Sequence, residues 1–128
     1  MKDEKMSGED KQPEDLKKRT TDFALRIIRL YASLPKTTQA QVLGKQVLRS
    51  GTSVGAQYRE GHRAKSDADV ISKFEGVLQE LDETDYWLDL LVKSGIVPEK
   101  KLESLIKETN ELIAIFVTIV MNLKRKRK

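Results

Sequence analysis

The sequence predicts an all-α protein, an antiparallel up-down-up-down four-helix bundle. Apolar residues recur at spacings of three and four over most of the 128 residues, which is the period of amphipathic helices. Proline and glycine divide this pattern into four segments with short connections, and short connections place consecutive helices antiparallel. No stretch alternates between apolar and polar residues for long enough to indicate a sheet.

The first two helices have recognisable ends. Pro13 suits the first turn of a helix, and Pro35 ends that helix. Thr37 or Thr38 then caps a second helix that runs to about His62, because a threonine hydroxyl accepts a hydrogen bond from a free backbone N–H. The apolar positions expected to face the core are Leu16, Phe23, Ile27, Leu30, Tyr31 and Leu34 in the first helix, and Val42, Leu43, Val47, Val54 and Tyr58 in the second.

The third helix begins at Ser66, whose hydroxyl can cap it and which is followed by two acids that suit the positive helix terminus. Gly95 stops this helix, and Pro98 opens the fourth in its first turn. The core stripe expected in the third helix comprises Val70, Ile71, Phe74, Val77, Leu78, Leu81, Leu88, Leu91 and Val92.

The fourth helix carries more apolar surface than one core readily accommodates. From Leu112 to Leu123, apolar side chains cover about 240° of the circumference at 100° per residue. An ordinary surface helix buries a stripe of about 100°. Either this helix is unusually central or part of its surface lies against another subunit, and we expect the residues of such an oligomer interface to be Trp87, Ile115, Ile119 and Met121.

Composition and length indicate one bundle domain over residues 13–123, with a mobile polar arm at 1–12 and a basic tail at 124–128. The sequence contains no cysteine, which excludes disulfides and thiolate metal sites. The charged start has no apolar stretch, so we expect no signal peptide. The longest apolar run is about half the ~20 residues that a spanning helix needs. We therefore expect a cytoplasmic protein without a membrane partner.

The formal net charge of +4 conceals an uneven distribution. The tail consists of five basic residues, and residues 36–65 contain six Lys or Arg against one Glu. Residues 66–95 contain eight acids against two lysines. A basic helix is thus followed by an acidic one.

This basic surface suggests phosphate binding, because clustered cations gain affinity by displacing condensed counterions. The alternative is that the cations pair with the acidic third helix, within or between subunits, and Arg49 is the strongest candidate for such a pair, with Glu80 as its carboxylate. The candidate nucleic-acid-binding residues are Lys45, Arg49, Arg59, Arg63, Lys65, Lys124, Arg125, Lys126, Arg127 and Lys128.

No constellation in the sequence indicates catalysis, a metal or a cofactor. His62 is the single histidine, and the Glu-x-x-His pairs of di-iron bundles are missing. Ser50 and Ser53 lie in neither a nucleophile elbow nor a phosphate-binding P-loop, so we expect them to pack between helices. The sequence therefore predicts a protein that is not an enzyme.

The second helix also carries Gly44, Gly51 and Gly55 near helical spacing. Each glycine inside a helix costs about 1 kcal/mol relative to alanine, so close approach of a neighbour is expected to compensate. Around this stripe stands an ordered set of small, charged and aromatic positions: Arg49, Ser50, Ser53, Val54, Glu60 and Gly61, followed by Phe74, Glu80, Glu83, Trp87 and Leu88.

In these residues the chain resembles, from about Asp15 to Leu123, the bacterial four-helix bundle proteins encoded in 23S rRNA intervening sequences. Where the commoner pattern has Asn-Ile before Glu-Gly, this chain has Gln57-Tyr58-Arg59. The resemblance implies a bundle that assembles as a homopentamer and has no assigned enzymatic activity. It also assigns structural roles to Arg49, Ser50, Ser53, Glu60, Gly61 and Glu80.

A structural relative of that family is the accessory variability determinant of diversity-generating retroelements, a basic pentameric bundle that binds nucleic acid. The function expected for this chain is accordingly that of an oligomeric nucleic-acid-binding or RNA-associated accessory protein. Its expected partners are other copies of itself, RNA or DNA, and a nucleic-acid-processing protein. The alternative is a protein–protein assembly module without a nucleic-acid role.

Overall fold

The computed structural model describes residues 13–127, and residues 1–12, the expected polar arm, lie outside the described part. Its four helices are α1 (Pro13–Ser33), α2 (Thr38–His62), α3 (Asp67–Lys93) and α4 (Glu99–Arg127). Residues 13–127 contain no strand, so the all-α prediction is confirmed. The helices pack as a bundle around one apolar core.

Local chemistry fixes the helix ends close to their predicted positions. The Thr37 side chain accepts a hydrogen bond from the N–H of Ala40 at 3.2 Å, and Ser66 accepts one from Asp69 at 3.1 Å. Gly95, with φ of 81°, adopts the left-handed conformation that ends α3. These three ends depend on side chains within a few residues, which explains why the sequence predicts them.

Each helix packs on the next one in the chain. The α2–α3 interface is the most extensive, α1 packs on α2 and α4 packs on α3, whereas α1 and α4 meet at few positions. The largest fully buried side chains come from all four helices: Phe23, Ile27, Val47, Val54, Val77, Leu81, Leu88, Leu91, Leu112 and Phe116. Val42, predicted in the core stripe, is instead 56% exposed, because the buried positions of α2 run through Ala40, Gly44 and Val47 and leave Val42 on another side.

The glycines of α2 face α1 at close range. A Cβ at Gly44 would lie 2.6 Å from the Leu34 side chain, and one at Gly51 would lie 2.7 Å from Ile27. A Cβ at Gly55 would lie 3.2 Å from Thr20 Oγ1. The close packing indicated by the glycine spacing is therefore present, and neighbouring side chains supply most of it.

Helix α4 continues through Arg127, so residues 124–127, expected as a tail beyond the bundle, form its last turn. Lysine and arginine are good helix formers and favour the negative C-terminal end of the helix dipole. No described helix is long and apolar enough to cross a membrane.

Candidate nucleic-acid interface

The residues of the family resemblance lie mainly along the α2–α3 interface. Arg49 of α2 forms ion pairs with Glu80 at 3.3 Å and with Glu83 at 2.5 Å, both on α3. One helical position further, the buried Ser50 hydroxyl lies 2.7 Å from the Thr84 hydroxyl. The Thr84 hydroxyl also donates to the Glu80 carbonyl of its own helix at 2.8 Å, and its contact with Ser50 joins α2 to α3 at this level.

The same interface continues toward the C-terminus of α2. Lys73 donates to Glu60 at 2.8 Å, and this contact lowers the pKa of Glu60 and raises that of Lys73. A Cβ at Gly61 would lie 2.5 Å from the Phe74 ring. Ser53 differs, because its hydroxyl donates to the Arg49 carbonyl within α2. Arg49, Ser50, Glu60, Gly61 and Glu80 thus act in helix packing.

The structure separates the predicted nucleic-acid-binding residues into groups. The Arg49 side chain points to α3, as the pairing alternative predicts, and the Arg59 guanidinium donates to Thr21 of α1 at 2.9 Å. Lys45 is exposed beside Gly44, near the C-terminal part of α1, and forms no hydrogen bond or ion pair with a described residue. At 100° per residue these three residues lie within about 80° of one another on the outer side of α2, with Arg49 turned toward α3 and Arg59 toward α1.

The remaining cations share one end of the bundle, where α2 ends, α3 begins and α4 ends. We call Arg63, Lys65, Lys124, Arg125 and Lys126 the basic end. Lys128 and the side chain of Arg127 lie outside the described part of the chain.

Two members of the basic end have local partners. Lys124 pairs with Glu75 of α3 at 2.6 Å, and Arg125 donates to Asn122 at 3.2 Å. The side chains of Arg63, Lys65 and Lys126 are exposed and form no hydrogen bond or salt bridge with a described residue. The exposed carboxylates near this end are those of Asp67 and Asp69 in the first turn of α3, of Glu75, which pairs with Lys124, and of Glu60, whose charge interacts with that of Arg63.

A recess of about 450 Å³ opens at the basic end and was not found from the sequence. We call it the end pocket. It forms only where three helices meet, so its residues have no common local signal. Its lining consists of Gly61, His62, Val70, Phe74, Ile119, Asn122, Leu123 and Lys126.

A second group of cations lies between α1 and α4 and was also missed. Arg19 forms a two-bonded pair with Glu108, at 2.7 and 2.8 Å, and contacts Glu111. Arg26 donates to Ser104 at 2.8 Å and, with Arg29 and Lys101, lines a groove of about 330 Å³. Periodicity places these residues on helix surfaces but gives no sign of which helix they meet.

The residues predicted for an oligomer interface differ in accessibility. Ile119 is 7% exposed and belongs to the core of the protomer, whereas Met121 is 54% exposed. Ile115 and Trp87 are half-buried against that core. The indole N–H of Trp87 is buried and has no acceptor among residues 13–127.

No group of three or more His, Asp or Glu side chains in the described part of the chain is arranged to hold a metal ion. His62 instead stacks on Tyr58, with ring centroids 5.9 Å apart and an interplanar angle of 12°. Its structural surroundings are those of a surface ring at the mouth of the end pocket.

The fold and this end together define a four-helix protein with a cationic end. The chain belongs to the family described as 23S rRNA-intervening sequence protein, which matches residues 14–118. It is also similar to a crystal structure of a protein of unknown function from the S23 ribosomal protein family of Bacteroides thetaiotaomicron, with 37% sequence identity and a TM-score of 0.80. That likeness covers 85% of this chain and 97% of the other. No curated protein matches the sequence.

Proposed function

We propose that this chain is a non-enzymatic accessory protein that binds nucleic acid through the basic end of a homo-oligomeric bundle. The observation that carries the proposal is the grouping of Arg63, Lys65 and Lys126, which are exposed and form no hydrogen bond or salt bridge with a described residue. Grouped cations bind phosphates because they displace condensed counterions. The RNA-related family supports this assignment, and we place the protein in the cytoplasm, where such a partner occurs.

The helices are antiparallel in this proposal, in up-down-up-down order. Contacts support this arrangement: Thr20 lies by Gly55 and Leu34 by Gly44, so α1 and α2 run in opposite directions. Ser50 contacts Thr84 while Gln57 lies by Gly76, which supports opposite directions for α2 and α3. Glu75 pairs with Lys124 while Asp85 contacts Asn110, which supports opposite directions for α3 and α4.

The oligomer is proposed to be a pentamer, as the family resemblance implies. Val117 and Met121 lie one turn apart on α4 and are 38% and 54% exposed, so they offer apolar surface to a second copy. Glutamate at both positions is expected to dissociate the assembly without unfolding the protomer. Light scattering tests both points, because a pentamer has five times the protomer mass of 14.6 kDa.

Nucleic-acid binding is tested by charge reversal at the basic end. Arg63→Glu with Lys126→Glu is compared with Lys36→Glu plus Lys100→Glu, an equal change of charge on exposed side chains away from that end. Anisotropy titrations use structured RNA, single-stranded DNA and duplex DNA from about 50 to 300 mM salt. The end variant is expected to weaken binding and to reduce the salt slope by about 1 for each phosphate that it no longer binds, while the control binds like the unmodified protein.

An accessory protein of this kind also has a nucleic-acid-processing protein as its expected partner. If an intact oligomer binds none of the probes at about 50 mM salt, the nucleic-acid proposal fails. Protein–protein assembly is then the function, and the exposed apolar residues of α1, α3 and α4 are its surface: Leu25, Ile28, Tyr86, Val117 and Met121.

A further inference from the structure

The end pocket has an apolar floor and a charged rim. Phe74, Ile119 and Leu123 form part of the floor, and Phe74 is only 7% exposed. His62 and Lys126 stand at the rim, and Arg63 and Lys65 follow His62 directly in the chain. Its volume of about 450 Å³ lies within the range of small-molecule sites, about 300–1,000 Å³. A ligand with a flat apolar part and an attached negative charge fits this combination.

Aromatic rings at the pocket are already arranged in parallel. The Tyr58 ring stacks on both Phe74 and His62, with interplanar angles of 12° in both cases. Centroid distances are 5.7 and 5.9 Å, which is the range of offset stacking. His62 is exposed, so it can offer a further ring a stacking surface at the pocket mouth.

We infer that the end pocket receives one unpaired nucleobase of a single-stranded segment or loop, with flanking phosphates on Arg63, Lys65 and Lys126. The inference rests on the proposed function and names its ligand class. Nucleobases are planar and stack on aromatic side chains, including histidine, and each nucleotide brings the phosphate that the rim attracts. A base within a duplex is already stacked and paired, so a regular duplex has no ring to place in the recess.

The amide side chain of Asn122 adds a polar group to the pocket wall. Asn122 is half-buried there. Asn122 also accepts a hydrogen bond from Arg125, so the wall is linked to the basic end. The end pocket therefore combines an apolar floor, stacked aromatic rings, the Asn122 amide and basic side chains.

The experiment compares oligonucleotides that carry equal charge. One is a ten-nucleotide single strand, made as RNA and as DNA, and the other is the same strand with abasic sites, which keep the phosphates and remove the bases. The intact strand is expected to bind roughly 5- to 150-fold more tightly, the usual effect of stacking one base on a protein ring. Equal affinity for intact and abasic strands overturns the inference and leaves the electrostatic proposal in place.

Filling the pocket provides the matched variants. Val70 is half-buried in the pocket wall, and Val70→Trp fills the recess without changing charge. Val42→Trp adds the same side chain at an exposed site away from the pocket. Val70→Trp is expected to bring the ratio of intact to abasic affinity close to 1 and to leave duplex binding unchanged. Val42→Trp is expected to preserve the ratio, and an equal loss in both variants overturns the inference.

A second pair of variants does not depend on a large substitution being tolerated. His62→Ala removes the exposed ring and is expected to reduce the preference for intact strands, whereas His62→Phe keeps a ring and is expected to preserve it. If His62→Ala leaves the preference unchanged, the stacking role assigned to the pocket mouth is wrong. If neither strand binds at about 50 mM salt, the proposed function fails as well.

Discussion

The interface between α2 and α3 and the interface between α1 and α4 are built on different principles. Along α2–α3, close packing at Gly61, the buried Ser50–Thr84 hydroxyl pair and the ion pairs of Arg49 occur together over the length of the helices. Between α1 and α4, contacts are few: Arg19 pairs with Glu108, and Arg26, which donates to Ser104, lies beside an open groove.

This difference indicates how the bundle responds to perturbation. Steric fit in a buried interface tolerates little change in volume, because core packing is close to crystalline density. An interface held by polar contacts between helices that touch at few positions buries less apolar surface. We therefore expect such an interface to open at a lower free-energy cost. The α2–α3 interface should therefore be the most sensitive to side-chain size, and the α1–α4 interface to charge.

The largest effect is expected from a methyl group added within α2–α3. In Gly61→Ala the new Cβ lies 2.5 Å from the Phe74 ring and 3.0 Å from the Cβ of Lys73, so the ring or the spacing of the two helices must shift. Overpacking costs about 1–3 kcal/mol, whereas replacing a helical glycine by alanine stabilises the helix by up to about 1 kcal/mol. The free energy of unfolding should therefore fall by about 1–2 kcal/mol. Urea unfolding followed by circular dichroism measures this change.

Gly76→Ala is the control for that substitution within the same interface. Its Cβ meets the amide end of Gln57, a flexible side chain that can rotate away. We expect no loss of stability, or a gain of up to about 1 kcal/mol. If both glycine variants lose stability equally, side-chain flexibility does not control the packing of α2 on α3.

The sequence predicts the α2–α3 interface better than the α1–α4 interface for a physical reason. Caps such as Ser66 and the helical spacing of small residues are local signals, and Arg49 with Glu80 joins the oppositely charged neighbouring helices of a short hairpin. Arg19 and Glu108 lie 89 residues apart, and nothing in either helix alone indicates that they meet. The end pocket also cannot be predicted from any one helix, because it forms only where the ends of three helices meet.

A double-mutant cycle tests the charge sensitivity of α1–α4. The side chains of Arg19 and Glu108 are 31% and 18% exposed, and their two-bonded geometry is strong for an ion pair. We expect a coupling energy of about 1–2 kcal/mol between Arg19→Gln and Glu108→Gln in urea unfolding. The corresponding cycle for Arg49, whose side chain is 51% exposed, and Glu80 should give less than about 1 kcal/mol.

Hydrogen exchange gives a second readout of the same prediction. Arg19→Gln should lower the protection of α1 amides while the middle of α3 keeps its protection, because α1 loses the ion pairs of Arg19 with Glu108 and Glu111 and keeps the weaker contact of Arg26 with Ser104. Equal coupling energies in the two cycles, or a uniform loss of protection across all helices, would contradict the view that α1–α4 is held mainly by charge.

At the other edge of α4, the α3 carboxylate of Asp85 forms no salt bridge with any of the residues 13–127. Asp85 of α3 accepts a hydrogen bond from the Asn110 amide at 3.5 Å. Partial burial raises the pKa of Asp85, the negative charges of Asp89 and Asp82 raise it further, and the Asn110 bond opposes the shift. At α1–α4 the carboxylates of Glu108 and Glu111 face Arg19, so the two edges of α4 differ in charge balance.

The smallest expected effect follows from this imbalance. Because the folded pKa of Asp85 is raised, the native state binds its proton more tightly, and stability falls as pH rises from the ordinary aspartate pKa through the raised value. Asp85→Asn removes the penalty, so it should be more stable than the unmodified protein at pH 7, with no advantage below the ordinary aspartate pKa of about 3.9. Asp82→Asn should give a smaller gain, since Asp82 is the weakest contributor to the shift. Urea unfolding across this pH range measures both gains, and a gain that does not change with pH would show that Asp85 is not penalised for its charge.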